Sequence, residues 1–124
     1  MITEDYVSFE TAKLLEENGF NWDCKTVKFY PEPDYDQESP DGVYAPTIQT
    51  AMKWLREVHN IHIEVRITNH SFSSLIAVPR YYWIIFNAKE VKWMDESTAH
   101  KQISYETVEE ACEAGIKYCL ENLI

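Results

Sequence analysis

Residues Ala45–Ile67 read APTIQTAMKWLREVHNIHIEVRI, and their apolar pattern changes from helical to extended within two residues. In the first half the apolar side chains recur three and four positions apart, which predicts a helix whose buried face holds Ile48, Ala51, Met52, Leu55 and Val58. In the second half Ile61, Ile63, Val65 and Ile67 alternate with His62, Glu64 and Arg66. The stretch therefore predicts a helix followed directly by a half-buried strand.

A first helix is predicted near the start of the chain. Ser8 can accept hydrogen bonds from the free amides of its first turn, and Ala12 and Leu15 supply its apolar side. Gly19 lies where a left-handed residue would end the helix, and Phe20 then faces Leu15.

A last helix is predicted to begin at Thr107, which forms a capping-box pattern with Glu110. Its apolar stripe consists of Val108, Ala111, Cys112, Gly115, Ile116, Cys119, Leu120 and Leu123. A glycine inside a helix costs about 1 kcal/mol relative to alanine. We therefore expect Gly115 to mark a close approach of this helix to the sheet.

Three further strands are predicted from alternation. CKTVKFY, residues Cys24–Tyr30, alternates weakly and favours a short strand. Tyr81–Phe86 and Val91–Met94 alternate more clearly and form a hairpin across the turn Asn87–Glu90. Both faces of this hairpin are apolar, so we expect one of them to be covered by something other than water.

Residues 31–46 are predicted to form an acidic, proline-rich loop, because four prolines bracket five carboxylates without one basic residue. The spacing of Asp34, Asp36 and Glu38 resembles that of the first ligands of a calcium loop. Ser39 and Ala45, however, stand where an EF-hand needs glycine and a bidentate glutamate. An EF-hand is excluded; the loop is predicted to be a solvated negative surface, with weak cation binding as the alternative.

These elements predict a single α+β domain spanning residues 1–124, in the order α-β-α-β-β-β-α, with a mostly antiparallel sheet packed by helices. From Thr47 onward the order resembles the topology of double-stranded RNA-binding domains. Those domains need lysines at the start of the last helix, where this chain carries Glu106, Glu109 and Glu110. The topology is expected to be shared, and RNA binding is not.

The chain is strongly acidic: 21 Asp and Glu against 11 Lys and Arg give a formal net charge of -10. Such a charge repels phosphate backbones and anionic headgroups, so no nucleic acid and no membrane is expected as partner. The acidic charge is explained by solubility, and the alternative explanation is that the chain recognises a basic protein. The opening MITEDYVSFE lacks the pattern of a secretory signal, and no stretch reaches the length of a membrane span, so a cytoplasmic location is predicted.

Residues for catalysis, cofactor binding or metal binding are not indicated by any pattern in the sequence. Cys24, Cys112 and Cys119 lack CxxC spacing and are expected to be free thiols, with the last two buried. His59 and His62 fall on a helix end and a polar strand face, which favours surface histidines over a metal pair. No GxSxG context and no glycine-rich phosphate loop is present. These observations favour a protein that is not an enzyme and that needs no cofactor.

Three blocks of the chain together resemble a family of small uncharacterised proteins that are encoded in gut Bacteroides genomes and in their phages or other mobile elements. The blocks are YVSFETAKLLEENGF, APTIQTAMKWLREVHNIHIEV and YETVEEACEAGIKYCLENLI, which cover roughly half of the chain. The family brings no assigned activity. The resemblance implies an accessory role in a phage or mobile-element context, such as binding a host protein or an element-encoded protein.

Two function classes follow from the sequence. The first is a non-catalytic protein-interaction module that binds a protein partner or a second copy of itself. Its interaction surface is predicted to involve Tyr35, Tyr44, Tyr81, Tyr82, Trp83 and Trp93. The second is a small-molecule-binding or catalytic domain, in which the same aromatic side chains would line an enclosed pocket.

Overall fold

The computed structural model describes residues 5–22, 43–68, 79–101 and 104–124, and the backbone of residues 26–29. These residues form a single α+β domain in which every strand pairing is antiparallel, as predicted. Its elements are α1 (Phe9–Glu17), β1 (Thr26–Phe29), β2 (Val43–Pro46), α2 (Ile48–His59), β3 (Ile61–Thr68), β4 (Arg80–Asn87), β5 (Lys92–Glu96), a 3-10 turn (Ser97–Ala99) and α3 (Val108–Asn122).

Helix α1 begins and ends at the residues that the sequence predicts. The Ser8 hydroxyl accepts a hydrogen bond from the backbone N–H of Thr11 at 3.3 Å. Gly19 has a φ of 91°, and the N–H of Phe20 donates to the carbonyl of Leu15 at 2.9 Å. This is the six-to-one bond of a Schellman ending, which only a left-handed residue at position 19 allows.

Strand β2 is a finding that the sequence did not predict, because it occupies the last four residues of the expected acidic loop. It pairs with β1 from Thr26↔Pro46 to Phe29↔Val43. On its other side the carbonyl of Pro46 accepts from the N–H of Val7 at 3.0 Å. Proline lacks an amide donor but keeps its acceptor, so Pro46 can end a strand that has partners on both sides. Residues 31–42 of the predicted loop lie outside the described part of the chain.

The change from helix α2 to strand β3 occurs between Val58 and Ile61, as predicted, and the structure shows that Asn60 makes it. Asn60 has a left-handed backbone, with a φ of 58°, and its N–H donates to the carbonyl of Leu55. The buried face of α2 contains Trp54, which was not predicted and is 2% exposed. It does not contain the predicted Val58, which is 49% exposed. The helix presents Ile48, Ala51, Trp54 and Leu55 to the core.

A second, three-stranded sheet has the order β3-β4-β5, with β4 in the centre. Strands β3 and β4 pair over their full length, from Ile61↔Asn87 to Thr68↔Arg80, and a bulge after Ile85 shifts the register of β5. The turn between β4 and β5 is closed by Asn87, whose Oδ1 accepts from the backbone amides of Lys89 and Glu90.

Helix α3 packs across β3 and β4, and α2 also contacts β3, so these two helices lie against the sheet, while α1 packs on α3 and on β2. Gly115 makes the closest approach, since a Cβ at this position would lie 3.0 Å from Cγ2 of Ile63. The predicted stripe of α3 is buried from Ala111 to Leu120, but Val108 is 41% exposed, so its assignment to the core was wrong. The core between the layers includes Leu15, Leu55, Ile85 and Ile116.

Candidate functional site

The two faces of the three-stranded sheet have different environments. Side chains alternate along β4, so Trp83 and Ile85 point to the helices and are 3% and 0% exposed, while Tyr82 and Phe86 point to the opposite face. Within the described part of the chain, no helix packs on that opposite face. We call it the open face, and it consists of His62, Glu64, Arg66, Tyr82, Ile84, Phe86 and Trp93. Ile84 at its centre is only 8% exposed, so the accessible part of this face lies around it.

Trp93 is the most prominent side chain of the open face, with 52% of its surface exposed. The ring of Phe86 meets it edge to face, with 5.0 Å between the ring centroids. The guanidinium carbon of Arg66 lies 5.3 Å from the centre of the Trp93 ring, within the range of a cation–π interaction. Trp93 is therefore held between two neighbours although half of it faces solvent.

Arg66 itself is positioned by Glu64 on the same strand. Its Nε and Nη2 donate to the two carboxylate oxygens of Glu64 at 2.9 and 3.2 Å. These bonds are the main reason why the pKa of Arg66 is raised, with a further contribution from a hydrogen bond to Tyr82. The same bonds lower the pKa of Glu64. Both groups are charged at neutral pH, so this part of the open face is electrically balanced.

A depression of about 370 Å³ lies on the open face. It is open to solvent and largely apolar, and its lining consists of His62, Glu64, Phe86, Ala88 and Trp93. In the turn beside it, Lys92 and Glu90 form an ion pair at 3.1 Å. A balanced apolar surface contrasts with the net charge of -10 carried by the whole chain.

A second cluster of polar side chains lies on the helix side of the sheet, where the end of β5 meets α3. The hydroxyl of Tyr118 donates to Oδ2 of Asp95, and the imidazole Nε2 of His100 lies 2.8 Å from the same oxygen. The His100 ring is stacked with Trp83 at 5.7 Å, and the Tyr118 ring lies 4.8 Å from Trp83.

The electrostatics of this cluster follow from Asp95. Burial raises the pKa of Asp95, but the hydrogen bonds from Tyr118, His100 and the N–H of Glu96 outweigh burial and lower it. The Asp95 carboxylate in turn raises the pKa of Tyr118 to about 12. An open cavity of about 460 Å³ adjoins the cluster and is lined by Trp83, His100, Lys101, Tyr105, Ala114, Lys117, Tyr118 and Glu121.

The six predicted surface residues do not share one face. Tyr82 and Trp93 lie on the open face, and Tyr44 is 62% exposed on β2 in the other sheet. Tyr81 lies on the helix side of β4, where its backbone bridges to Tyr105. Trp83 is a correction, because its packing against α3 leaves it 3% exposed and removes it from the exposed protein-interaction surface, although it lines the cavity beside Asp95. Tyr35 lies outside the described residues.

Sequence reasoning did not assign five residues of the open face to an interaction surface: His62, Glu64, Arg66, Ile84 and Phe86. The signal was present in the strict alternation of β3 and β4, which places even-numbered residues of both strands on one face. The cluster at Asp95 was also missed, since its members come from β5, the segment after the 3-10 turn and α3. No local spacing connects them.

Other reactive groups are not gathered into a site in the described ranges. No cluster of three or more His, Cys, Asp or Glu there has metal-binding geometry. Burial raises the pKa of Cys112 to about 11, with a smaller contribution from Glu109, and raises that of Cys119 to about 12. Of the helices described, none has the length and apolar character needed to cross a bilayer.

Comparisons with models of protein families, with curated proteins and with solved structures find no match to this chain.

Proposed function

We propose that this protein is a non-catalytic protein-interaction module and that the open face of the three-stranded sheet is its docking surface. The observation that carries the proposal is the position of Trp93. It is half exposed, it is held by Phe86 and Arg66, and it borders a shallow apolar depression. Trp and Arg side chains that are held in place before binding are typical of the energetic centre of protein interfaces.

The charges around Trp93 favour a protein over other partners. The Glu64–Arg66 pair offers a carboxylate and a guanidinium side by side, which suits the mixed polar rim of a protein surface. The net charge of -10 opposes nucleic acids and anionic membranes. The expected resemblance to proteins of Bacteroides and their mobile elements supports, as part of this proposal, an accessory role in the cytoplasm.

The test is affinity capture with matched variants, followed by binding measurements on the purified partner. Trp93→Ala should lose a partner that the wild-type protein retains, with affinity reduced at least about tenfold. Val58→Ala is the control, because Val58 is equally exposed but lies on α2. A partner that binds wild type, Trp93→Ala and Val58→Ala equally would contradict the assignment of the open face.

The cavity beside Asp95 supports a second candidate function, the binding of a small molecule. Its floor is aromatic, and Lys101 and Lys117 bring positive charge to a lining that also holds the carboxylate of Glu121. Lys117 is already paired with Glu10 at 3.0 Å, which reduces its attraction for an anion. Thermal-shift measurements with a panel of aromatic carboxylates test this candidate: stabilisation that Tyr118→Ala removes would support it, and no stabilisation would exclude that ligand class.

A further inference from the structure

Strand β3 forms one edge of the three-stranded sheet. Among the described residues it pairs with β4 alone, so the peptide groups along its other side have no ladder partner there. Natural edge strands are usually short, carry charged side chains, especially lysine, or are interrupted by proline or a bulge. Strand β3 has eight residues without proline, lysine or a bulge in its pairing with β4, its two charged side chains Glu64 and Arg66 have opposite signs, and Ile67 near its end is 64% exposed.

The sequence of β3, IHIEVRIT, is complementary to itself in one antiparallel register. If two copies pair about a twofold axis at Val65, each Glu64 lies opposite Arg66 of the other copy. Each Ile63 then lies opposite Ile67, and the exposed apolar side chain gains a partner. Residues directly opposite each other point to the same face, so the helix faces and the open faces of the two copies match.

Neighbouring registers are disfavoured by the same side chains. A twofold axis at Glu64 would place two carboxylates opposite each other, and an axis at Arg66 would place two guanidinium groups opposite each other. An axis at Ile63 pairs only residues 61–65 and leaves Ile67 uncovered. Register is therefore specified by charge and by apolar burial together.

We propose that two copies of this chain associate through antiparallel pairing of their β3 strands about Val65, which forms one six-stranded sheet. The occupant of the β3 edge is a second copy because Glu64, Arg66, Ile63 and Ile67 are placed symmetrically about Val65, so that an identical strand supplies the complementary partner for each of them. The net charge of -10 opposes association of two copies, so the contact must itself be close to neutral. Within β3 the formal charges of Glu64 and Arg66 cancel. Arg66 then shares its guanidinium between its own Glu64 and Glu64 of the second copy.

This association goes beyond the proposed partner binding and can be tested without any partner. Trp93 lies on β5, which forms the opposite edge of the sheet, so pairing at β3 leaves Trp93 accessible. The two open faces become neighbours on one continuous sheet.

The experiment uses sedimentation velocity over a roughly hundredfold range of protein concentration. Wild type should show a monomer–dimer equilibrium. Glu64→Arg and Arg66→Glu each place like charges directly opposite each other in two symmetric pairs, so each should weaken dimerisation roughly tenfold or more. The double variant Glu64→Arg/Arg66→Glu exchanges the charges and should restore the dimer.

An equimolar mixture of the two single variants gives the sharpest result. In a mixed dimer every Arg faces a Glu, so the two weakened variants should associate with each other. Glu57→Arg and Lys53→Glu are the matched controls, since they change the net charge equally on the exposed side of α2 and should dimerise as wild type does.

Ile67→Asp supplies a test that does not depend on the ion pairs. Ile67 is mostly exposed in the single chain, so this variant should keep the circular dichroism spectrum of the wild type while it loses the dimer. A wild type that stays monomeric over the whole range overturns the proposal. So does a dimer that the single charge reversals and Ile67→Asp leave unchanged, or a mixture that does not associate.

Discussion

Gly115 lies directly over Trp83: a Cβ on Gly115 would be 3.3 Å from Cβ of Trp83 and 3.0 Å from Cγ2 of Ile63. Both neighbours belong to the sheet, and both atoms are close to the backbone, so they have little room to move. Helix α3 can reach the sheet at this distance because residue 115 has no side chain. The contact holds α3 against one face of the three-stranded sheet, and Trp93 lies on the opposite face.

Gly115→Leu should destabilise the fold by about 3 kcal/mol, because the added side chain forces α3 away from the sheet. Gly115→Ala should be less harmful, since the gain of about 1 kcal/mol in helix propensity offsets part of the contact with Ile63. Urea unfolding followed by circular dichroism measures both. Glu109→Leu is the control on the exposed side of α3 and should stay within about 0.5 kcal/mol of wild type. Equal stability of Gly115→Leu and wild type would contradict the packing.

Val91→Gly should stabilise the protein by about 0.5–1 kcal/mol. Val91 has a φ of 55°, a left-handed backbone that a β-branched residue adopts only with strain. Its side chain is 75% exposed, so little packing is lost on removal. The same substitution at Val58, in the middle of helical backbone, should destabilise by about 1 kcal/mol. The free energy of unfolding should therefore rise in Val91→Gly and fall in Val58→Gly. A fall in both variants would show that the backbone at Val91 is not strained.

Asp95→Asn should lower stability by about 1 kcal/mol at neutral pH, because Tyr118 and His100 lose a charged acceptor. The folded-state pKa of Asp95 lies below its ordinary value of 3.8. Its ionised form therefore contributes stability above about pH 4, and this contribution is lost as the pH falls through the folded-state pKa. Unfolding curves of the two proteins should converge in acid. Tyr118→Phe removes one of the bonds and should give a smaller loss.

Cys112 and Cys119 should be inert to a chromogenic disulfide reagent near pH 8 in the folded protein. Their raised pKa values, about 11 and about 12, leave almost no thiolate, and α3 shields both sulfur atoms. The Cys24→Ser background limits the signal to these two thiols. Reaction should require urea. Rapid reaction of the folded variant would show that α3 does not bury this stripe.

The ends of the helices could be predicted from the sequence, because capping depends on neighbours in the chain. Ser8 and Gly19 each act within four residues of themselves. The buried face of α2 could be predicted only approximately. Trp54 and Val58 differ in burial because of where Phe20 and the sheet lie, which is tertiary information.

The candidate site was less accessible to sequence reasoning. Aromatic residues in β4 alternate between two faces, and only the position of α3 decides that Trp83 is covered. Strand β2 was hidden by the prolines around it, because its pairing with β1 and with Val7 is non-local. The contact of Arg66 with Trp93 also joins strands that are not neighbours in the sheet.

Solvent exposure of the four tryptophans tests most directly the claim that one face of the sheet is covered and the other is open. Fluorotryptophan-labelled protein is measured by fluorine NMR with a soluble gadolinium chelate, and each resonance is assigned by a Trp→Phe variant. Relaxation of the Trp93 signal should be enhanced several-fold more than that of the Trp54 and Trp83 signals, because Trp93 is 52% exposed and the other two are 2% and 3% exposed. Equal enhancement at Trp83 and Trp93, or protection of Trp93, would contradict the account.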